Sequence, residues 1–174
     1  MVSVKTSEGK RFTIDWNRWE PTREAVLTFI RMRGQILLIN KLRGLGKGKI
    51  NAPGGKIEPG ETPLHAAVRE TEEEVGVTPL HLHRNGILRF AFTDGYSMKC
   101  HVFTAPSFSG TVRESDEAIP FWCKESMIPY PRMWEDDRLW LPLVLKGKVV
   151  NDDFIFEGDT MLWHGFSTEI PDQA

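Results

Sequence analysis

The chain has 174 residues, 40% of them hydrophobic and 26% charged, with a formal net charge of −2. That length suffices for one domain with its own apolar core, and the balanced charge excludes the basic field that wraps a nucleic acid polymer. No stretch approaches the roughly 20 apolar residues that span a bilayer, and residues 1–10 lack the apolar core of a signal peptide, so no membrane partner and a cytoplasmic location are expected. Cys100 and Cys123 form no CxxC and no metal-ligand spacing; they suit buried, reduced thiols at least as well as a disulfide.

In chain order, residues 1–23 read as an N-terminal extension of mixed polarity whose Trp16 and Trp19 pack on the domain that follows. That domain, residues 24–165, opens on two β-rich runs, 25–32 and 35–40, joined by Arg33-Gly34, a hairpin signal. Residues 41–60 are rich in Gly, Lys and Pro and read as a long loop, a kind that is usually functional. A helix is expected over 63–75, then strands near 86–93, 97–105, 119–123 and 149–156, with a second helix near 135–146 interrupted or kinked by Pro142. Residues 166–174 read as a tail. This mixture implies an α+β fold or a three-layer α/β/α sandwich.

The first helix is bracketed by matched signals. Thr62 is a good N-cap, Pro63 suits the first helical position, and Gly76 suits the left-handed residue just past the end. At about 100° per residue, Leu64, Val68, Thr71 and Val75 fall on one stripe expected to face the core. Glu70, Glu73 and Glu74 fall on the other side at i, i+3, i+4 spacing, which crowds three carboxylates into one neighbourhood. A hard cation resolves that repulsion, and Mg²⁺ prefers such oxygen ligands. A solvated acidic helix face would also explain the glutamates, but not the Gly54-Gly55 turn, nor Arg69 beside Glu70, nor Glu61 and Gly76.

These residues resemble the Nudix box, G-x5-E-x7-R-E-U-x-E-E-x-G-U. Gly55, Glu61, Arg69, Glu70, Glu73, Glu74, Gly76 and Val77 all fall on its positions, eight fixed places over 23 residues; Thr71 stands where the family prefers a large aliphatic residue. The resemblance implies a Nudix fold with a mixed central sheet, divalent metal (Mg²⁺, with Mn²⁺ as a substitute), and attack of a metal-activated water on a phosphoanhydride. It makes Glu70, Glu73 and Glu74 metal-binding carboxylates, with Glu74 a candidate for activating water. Gly54 becomes a carbonyl ligand, and Arg69 the residue that orients Glu61 or Glu73.

Beyond the box, residues 25–163 resemble the MutT-homologue 8-oxo-dGTP diphosphatases. The markers are Lys41-Leu-Arg-Gly-Leu-Gly-Lys-Gly, Asn51 ahead of Gly54-Gly55-Lys56, Val112-Arg-Glu-Ser-Asp-Glu117, and Met133-Trp134-Glu-Asp136-Asp137. By that resemblance Asn51 hydrogen-bonds a purine, Trp134 stacks on it, Asp136 and Asp137 read its edge, and Phe90, Phe92 and Met98 wall the pocket. Glu117 adds a carboxylate to the metal site, and Lys41 approaches the phosphates. Leu45 and Val26 stand where the mammalian enzymes carry an aromatic residue and a threonine. The expected activity is hydrolysis of oxidised purine nucleoside triphosphates to monophosphate and pyrophosphate, by a monomer or small homo-oligomer. The alternatives are a Nudix hydrolase of ADP-ribose, a nucleotide sugar or capped RNA, and a catalytically silent nucleotide sensor. His65, His81, His83, His101 and His164 make no ligand set and read as surface or packing residues.

Overall fold

In the computed structural model, which describes residues 1–166, the chain opens on a hairpin of β1 (Val2–Lys5) and β2 (Arg11–Ile14). β3 (Arg23–Met32) and β4 (Gln35–Lys41) follow, joined through Arg33 and Gly34, both at positive φ. The expected hairpin forms, but its strands pair only beside the turn, Arg31 with Ile36 and Met32 with Gln35. Beyond it they splay apart.

The segment expected to be a loop fills that gap. β5 (Ile50–Asn51) pairs with β4, and β6 (Gly54–Lys56) pairs with β3. The physical reason is that splaying leaves buried backbone groups that need partners. The intervening chain supplies them, down to the Thr28 N–H donating to the Pro53 carbonyl at 2.9 Å. Asn51 and Gly54 are thereby fixed inside the V between the two strands.

α1 (Pro63–Val75) leads to β7 (Val77–Leu80), β8 (His83–Phe92), β9 (Ser97–Ala105), β10 (Ser107–Gly110) and β11 (Ala118–Lys124). α2 (Asp137–Leu145), β12 (Val150–Glu157) and β13 (Thr160–Phe166) complete the chain. α2 starts two residues later than expected and runs through Pro142. The main sheet has the order β11-β4-β3-β9-β8-β12-β13, with β7 and β10 paired separately. It is mixed: β3–β9 and β8–β12 run parallel and the remaining neighbours antiparallel. Of the tail expected from 166, Phe166 ends β13 and the rest lies outside the described residues.

Strand alternation sorts the core into two layers. Phe29, Ile36 and Leu38 face Trp140, Leu141 and Val144 of α2. Ile30, Leu37 and Ile39 face the other way, with Val75 and Val77, while Ala66 and Ala67 of α1 meet Val26 and Phe103. One sheet between two helical layers is the α/β/α sandwich.

The N-terminal hairpin covers the end of the sheet that α1 does not reach. Val2, Val4, Phe12, Ile14, Trp16 and Trp19 pack on Ala91, Ile155, Leu162 and Trp163. Beneath them lies a buried ion pair, Arg89 Nε and Nη2 donating to the two Asp153 carboxylate oxygens at 2.7 and 2.8 Å. The guanidinium is covered by the Trp16 and Trp19 rings at 5.0 and 5.5 Å, a desolvated setting in which each cation–π contact is worth ~1–2 kcal/mol.

Candidate active site

α1 is capped as its sequence requires. The Thr62 hydroxyl accepts from the His65 N–H, and Gly76 closes the helix at φ 77 in the left-handed region. Its packing differs from the expected stripe. Ala66, Ala67, Glu70, Thr71, Glu74 and Val75 are buried, while Leu64 is exposed and Val68 half-buried. The helix sits close on β3 and β6, where only small residues fit. A Cβ at Gly55 would collide with the Glu70 carboxyl group, so the second glycine of the turn is what lets that carboxylate lie against the backbone. Thr71 is fully buried, and its hydroxyl is satisfied by donating to the Ala67 carbonyl at 2.7 Å.

Glu70 and Glu74 lie one turn apart, about 40° around the axis, and Glu117 arrives from the bend just ahead of β11. The three offer oxygens within 4.8 Å of one another. Burial drives both helix acids upward: Glu74 reaches about 8 despite the Gly54 N–H donated to it at 3.3 Å, with Glu70 and Glu117 adding to the rise. Glu70 is raised for the same reason, against the opposing pull of Arg69. Three hard oxygen donors that repel one another in a half-dry site fit a divalent cation.

Glu73 is set apart from this trio. Its side chain is 56% exposed and pairs with Arg69 at 3.2 Å, because the i+3 step rotates it off the line of Glu70 and Glu74. Arg69 itself lies behind the site rather than in it. Its guanidinium binds both oxygens of Glu61 at 2.7 and 2.8 Å, Glu70 at 2.9 Å and the Lys56 carbonyl at 3.0 Å. Those bonds hold Glu61 low, at about 2. Of the two partners expected for Arg69, Glu61 is therefore the bidentate one and Glu73 the weaker.

The acids open into a cleft of about 1520 Å³. Its lining includes Asn51 and, at one end, Lys41, Gly54, Glu61, Glu70, Glu74 and Glu117. At the other are Phe90, Phe92, Met98, Trp134, Asp136 and Asp137. All the residues expected to bind substrate are thus brought together, as are Gly54 and the metal-site carboxylates other than Glu73. Arg43 also lines the cleft and pairs with Glu117 at 3.2 Å. Asn51 lines the cleft, and its side-chain carbonyl oxygen accepts from the Ala52 N–H at 2.8 Å.

Asp136 and Asp137 are almost fully buried at the start of α2. Asp136 Oδ2 accepts from the Trp140 indole at 2.8 Å, while Asp136 Oδ1 and Asp137 Oδ2 have no partner within the protein. Burial raises Asp136 to about 6, and burial followed by the Asp136 charge raises Asp137 well above the usual carboxylate range. Trp134 stands nearly perpendicular to Phe92 and Phe156, at 6.2 and 5.5 Å between centroids.

Tyr96 and Cys100 also line the cleft, Tyr96 not named from the sequence and Cys100 expected only as a buried thiol. For Cys100 the signal was available, since the period of two along β9 carries it to the side that Met98 occupies; Tyr96 lies just ahead of the strand. Cys100 is buried and Cys123 half-buried, both free. Of the histidines expected at the surface or in packing, His101 is a packing residue: it is buried, contacts Arg84 and Glu24, and is driven down to about 4 by burial and by Arg84. No helix among the described residues is long and apolar enough to cross a membrane.

Comparison with known proteins agrees with this geometry. Residues 21–144 match the NUDIX domain. The chain is 40% identical over 147 residues to the oxidized purine nucleoside triphosphate hydrolase of Danio rerio, covering 84% of this chain and 94% of the relative. It is 38% identical over 138 residues to the protein of the same name from Mus musculus, covering 78% and 88%. The crystal structure of the mutator MutT protein of Bacillus halodurans superposes with a TM-score of 0.75 at 26% identity, over 85% of this chain and 99% of that one. With a box matched at every position but Thr71 on a capped helix, its Glu61, Glu70 and Glu74 in one cleft and a matching domain over most of its length, the chain belongs to the Nudix hydrolases.

Proposed function

We propose that the protein is a Mg²⁺-dependent pyrophosphohydrolase of oxidised purine nucleoside triphosphates such as 8-oxo-dGTP, releasing monophosphate and pyrophosphate. The observation that carries the reading is the pairing, in one cleft, of the Glu70–Glu74–Glu117 trio with two buried aspartates that each keep an unpartnered oxygen beside aromatic walls. The names of the Danio rerio and Mus musculus relatives support it. We place it in the cytoplasm, as monomer or small homo-oligomer, which suits the free thiols.

When bound, the divalent metal supplies charge neutralisation on the diphosphate and acidity to an attacking water. Mn²⁺ would serve in its place. Glu70, Glu74, Glu117 and the Gly54 carbonyl would hold it, with Glu73 at the exposed edge. Glu74, beside the Gly54 N–H and between Glu70 and Glu117, is the candidate to accept the proton of the attacking water. Arg69 keeps Glu61 and Glu70 oriented through its fork of donors. Lys41 lies at the phosphate end, joined by Arg43 once Glu117 turns to the metal.

At the other end Trp134 stacks on the purine and Asn51 donates to it. The aspartate pair, holding one proton between them, donates from one oxygen and accepts on the other. Moving that proton from one carboxyl to the other matches the edge of oxidised guanine or of oxidised adenine.

The test is hydrolysis in ¹⁸O-labelled water with 8-oxo-dGTP, 2-hydroxy-dATP, dGTP and ADP-ribose. Label is expected in the monophosphate or the pyrophosphate. Release of orthophosphate would contradict the cleavage site. Equal kcat/KM for dGTP and 8-oxo-dGTP would remove the oxidised-purine reading, and preference for ADP-ribose would replace it.

A further inference from the structure

One cation sits behind the aromatic wall instead of in the cleft. Lys49, between β4 and β5, is absent from the cleft lining, yet its ammonium rests 5.1 Å from the centroid of the Trp134 ring. The lysine side chain is only 23% exposed, an uncommon state for a residue type that keeps its charge in water. Its second partner is Asp159 at 3.2 Å, in the turn between β12 and β13. The same hairpin grips the Trp134 segment again, through the Met161 N–H donating to Glu135 at 2.9 Å. An ion pair with an exposed aspartate usually contributes little by itself. Here it holds an ammonium against an indole that lines the cleft.

The charges around the aspartate pair give the ammonium a second effect. Glu135 and Asp152 add negative charge at Asp136, and Asp136 adds it at Asp137. The Tyr130 hydroxyl and the Cys100 thiol face the pair as neutral groups, Lys41 acts on Cys100 from β4, and His164 acts on Asp152. Lys49 is the cation that favours the ionised form of Asp137.

We propose that Lys49 is a positioning residue of the base pocket: clamped between Asp159 and Trp134, it fixes the plane on which the purine stacks and supplies the positive charge that opposes the buried aspartates. The inference rests on the purine-nucleotide reading above and adds a residue that touches neither base nor phosphate.

The test uses the full chain as wild type, Lys49→Met, Lys49→Arg and Asp159→Asn, with 8-oxo-dGTP in steady-state kinetics and both 8-oxo-dGTP and 8-oxo-dGMP in equilibrium binding. Lys49→Met should weaken the triphosphate and the monophosphate by the same factor, about 5–10-fold, through KM, with kcat within about twofold. Lys49→Arg should restore most of the loss. Asp159→Asn, on an exposed side chain that leaves the fold intact, should cost about twofold by freeing the ammonium. The pH dependence of KM in Lys49→Met should move to higher pH, because the pair keeps its proton longer without the cation. A loss confined to the triphosphate would make Lys49 a phosphate contact and overturn the proposal, as would unchanged binding of both nucleotides. A wild type that turns over neither oxidised purine triphosphate would overturn the substrate reading itself, and this shows in the wild type alone, before any variant is compared.

Discussion

The two ends of the cleft are built from the same material and resolve it in opposite ways. Each buries carboxylates, and desolvation raises the proton affinity of both sets. At the phosphate end the acids come from α1 and from the approach to β11, converge within 4.8 Å, and receive Arg69 only from behind. At the base end two consecutive residues at one helix start each keep a buried oxygen without a protein partner, and Lys49, the cation that acts on Asp137, is engaged with an indole. Donors of one sign that converge from separate elements fit a metal ion, whereas two consecutive buried carboxyls beside aromatic walls fit a shared proton. The difference lies in how many acids meet and from how many directions, and it separates chemistry from recognition.

The largest expected effect breaks the phosphate end. Glu74→Gln keeps the shape and removes one charge of the trio. It should lower kcat with 8-oxo-dGTP at least about 100-fold with little change in KM, consistent with loss of a metal ligand or base. Wild-type activity should vanish in excess chelator and return with Mg²⁺ or Mn²⁺. Full activity in chelator would mean that the trio is only an acidic patch. Glu73→Gln, outside the trio, should cost at least tenfold less than Glu74→Gln; equal losses would show that the resting geometry understates the role of Glu73.

The next effect breaks the base end and should leave the chemistry intact. Asp136→Asn and Asp137→Asn each freeze one donor–acceptor arrangement. We expect losses of about 10–100-fold in kcat/KM, since a site built to hydrogen-bond a substrate edge discriminates by several kcal/mol when a partner is mismatched. The losses should fall unequally on 8-oxo-dGTP and 2-hydroxy-dATP. Equal losses on both substrates in both variants would reduce the pair to a structural helix start.

The two ends also differ in how far the sequence betrays them. Glu70 and Glu74 share one helix, so their meeting follows from local spacing, and the caps Thr62 and Gly76 mark that helix at both ends. Glu117, Trp134, Asp136 and Asp137 come from distant elements, and only resemblance connects them to the site. Even within α1 the apolar stripe misled, because the helix presses its alanines and glutamates onto a glycine turn and leaves Leu64 outside. The splayed β3–β4 hairpin was hidden for a similar reason: β5 and β6 form from Gly- and Pro-rich chain because buried backbone groups demand partners there, against local propensity. Least legible was the N-terminal hairpin. Its four-residue strands carry little pattern, and the pair beneath it, Arg89 with Asp153, is separated by 64 residues.

The smallest effect sharpens the comparison without touching catalysis. A carboxyl whose folded affinity is raised stays protonated in the native state after the unfolded chain has lost its proton. Between the unfolded value, near 4, and the folded one the native state therefore binds more protons, and stability falls as pH rises. For Glu74 that window runs to about 8 and for Asp136 to about 6, with Asp137 extending it. Each proton so retained lowers stability by about 1.4 kcal/mol per pH unit, or about 3–5 °C in Tm for a domain of this size. Metal-free protein should accordingly lose Tm from about pH 6.5 to pH 8, whereas below that range His101, held neutral by burial, adds stability as pH rises and offsets the loss. Mg²⁺ should abolish only the part due to the glutamates, since it neutralises them as a proton does and binds the native state alone. Above about pH 6.5, where His101 is neutral in both states, the falling slope left in saturating Mg²⁺ belongs to the aspartates, and Asp137→Asn should flatten it and raise Tm at pH 8. Differential scanning fluorimetry of wild type, Glu74→Gln and Asp137→Asn across that range, with and without Mg²⁺, separates the contributions. A residual slope that Asp137→Asn leaves unchanged would show that the base end is wet enough for both aspartates to ionise, and the distinction between the two ends would fail.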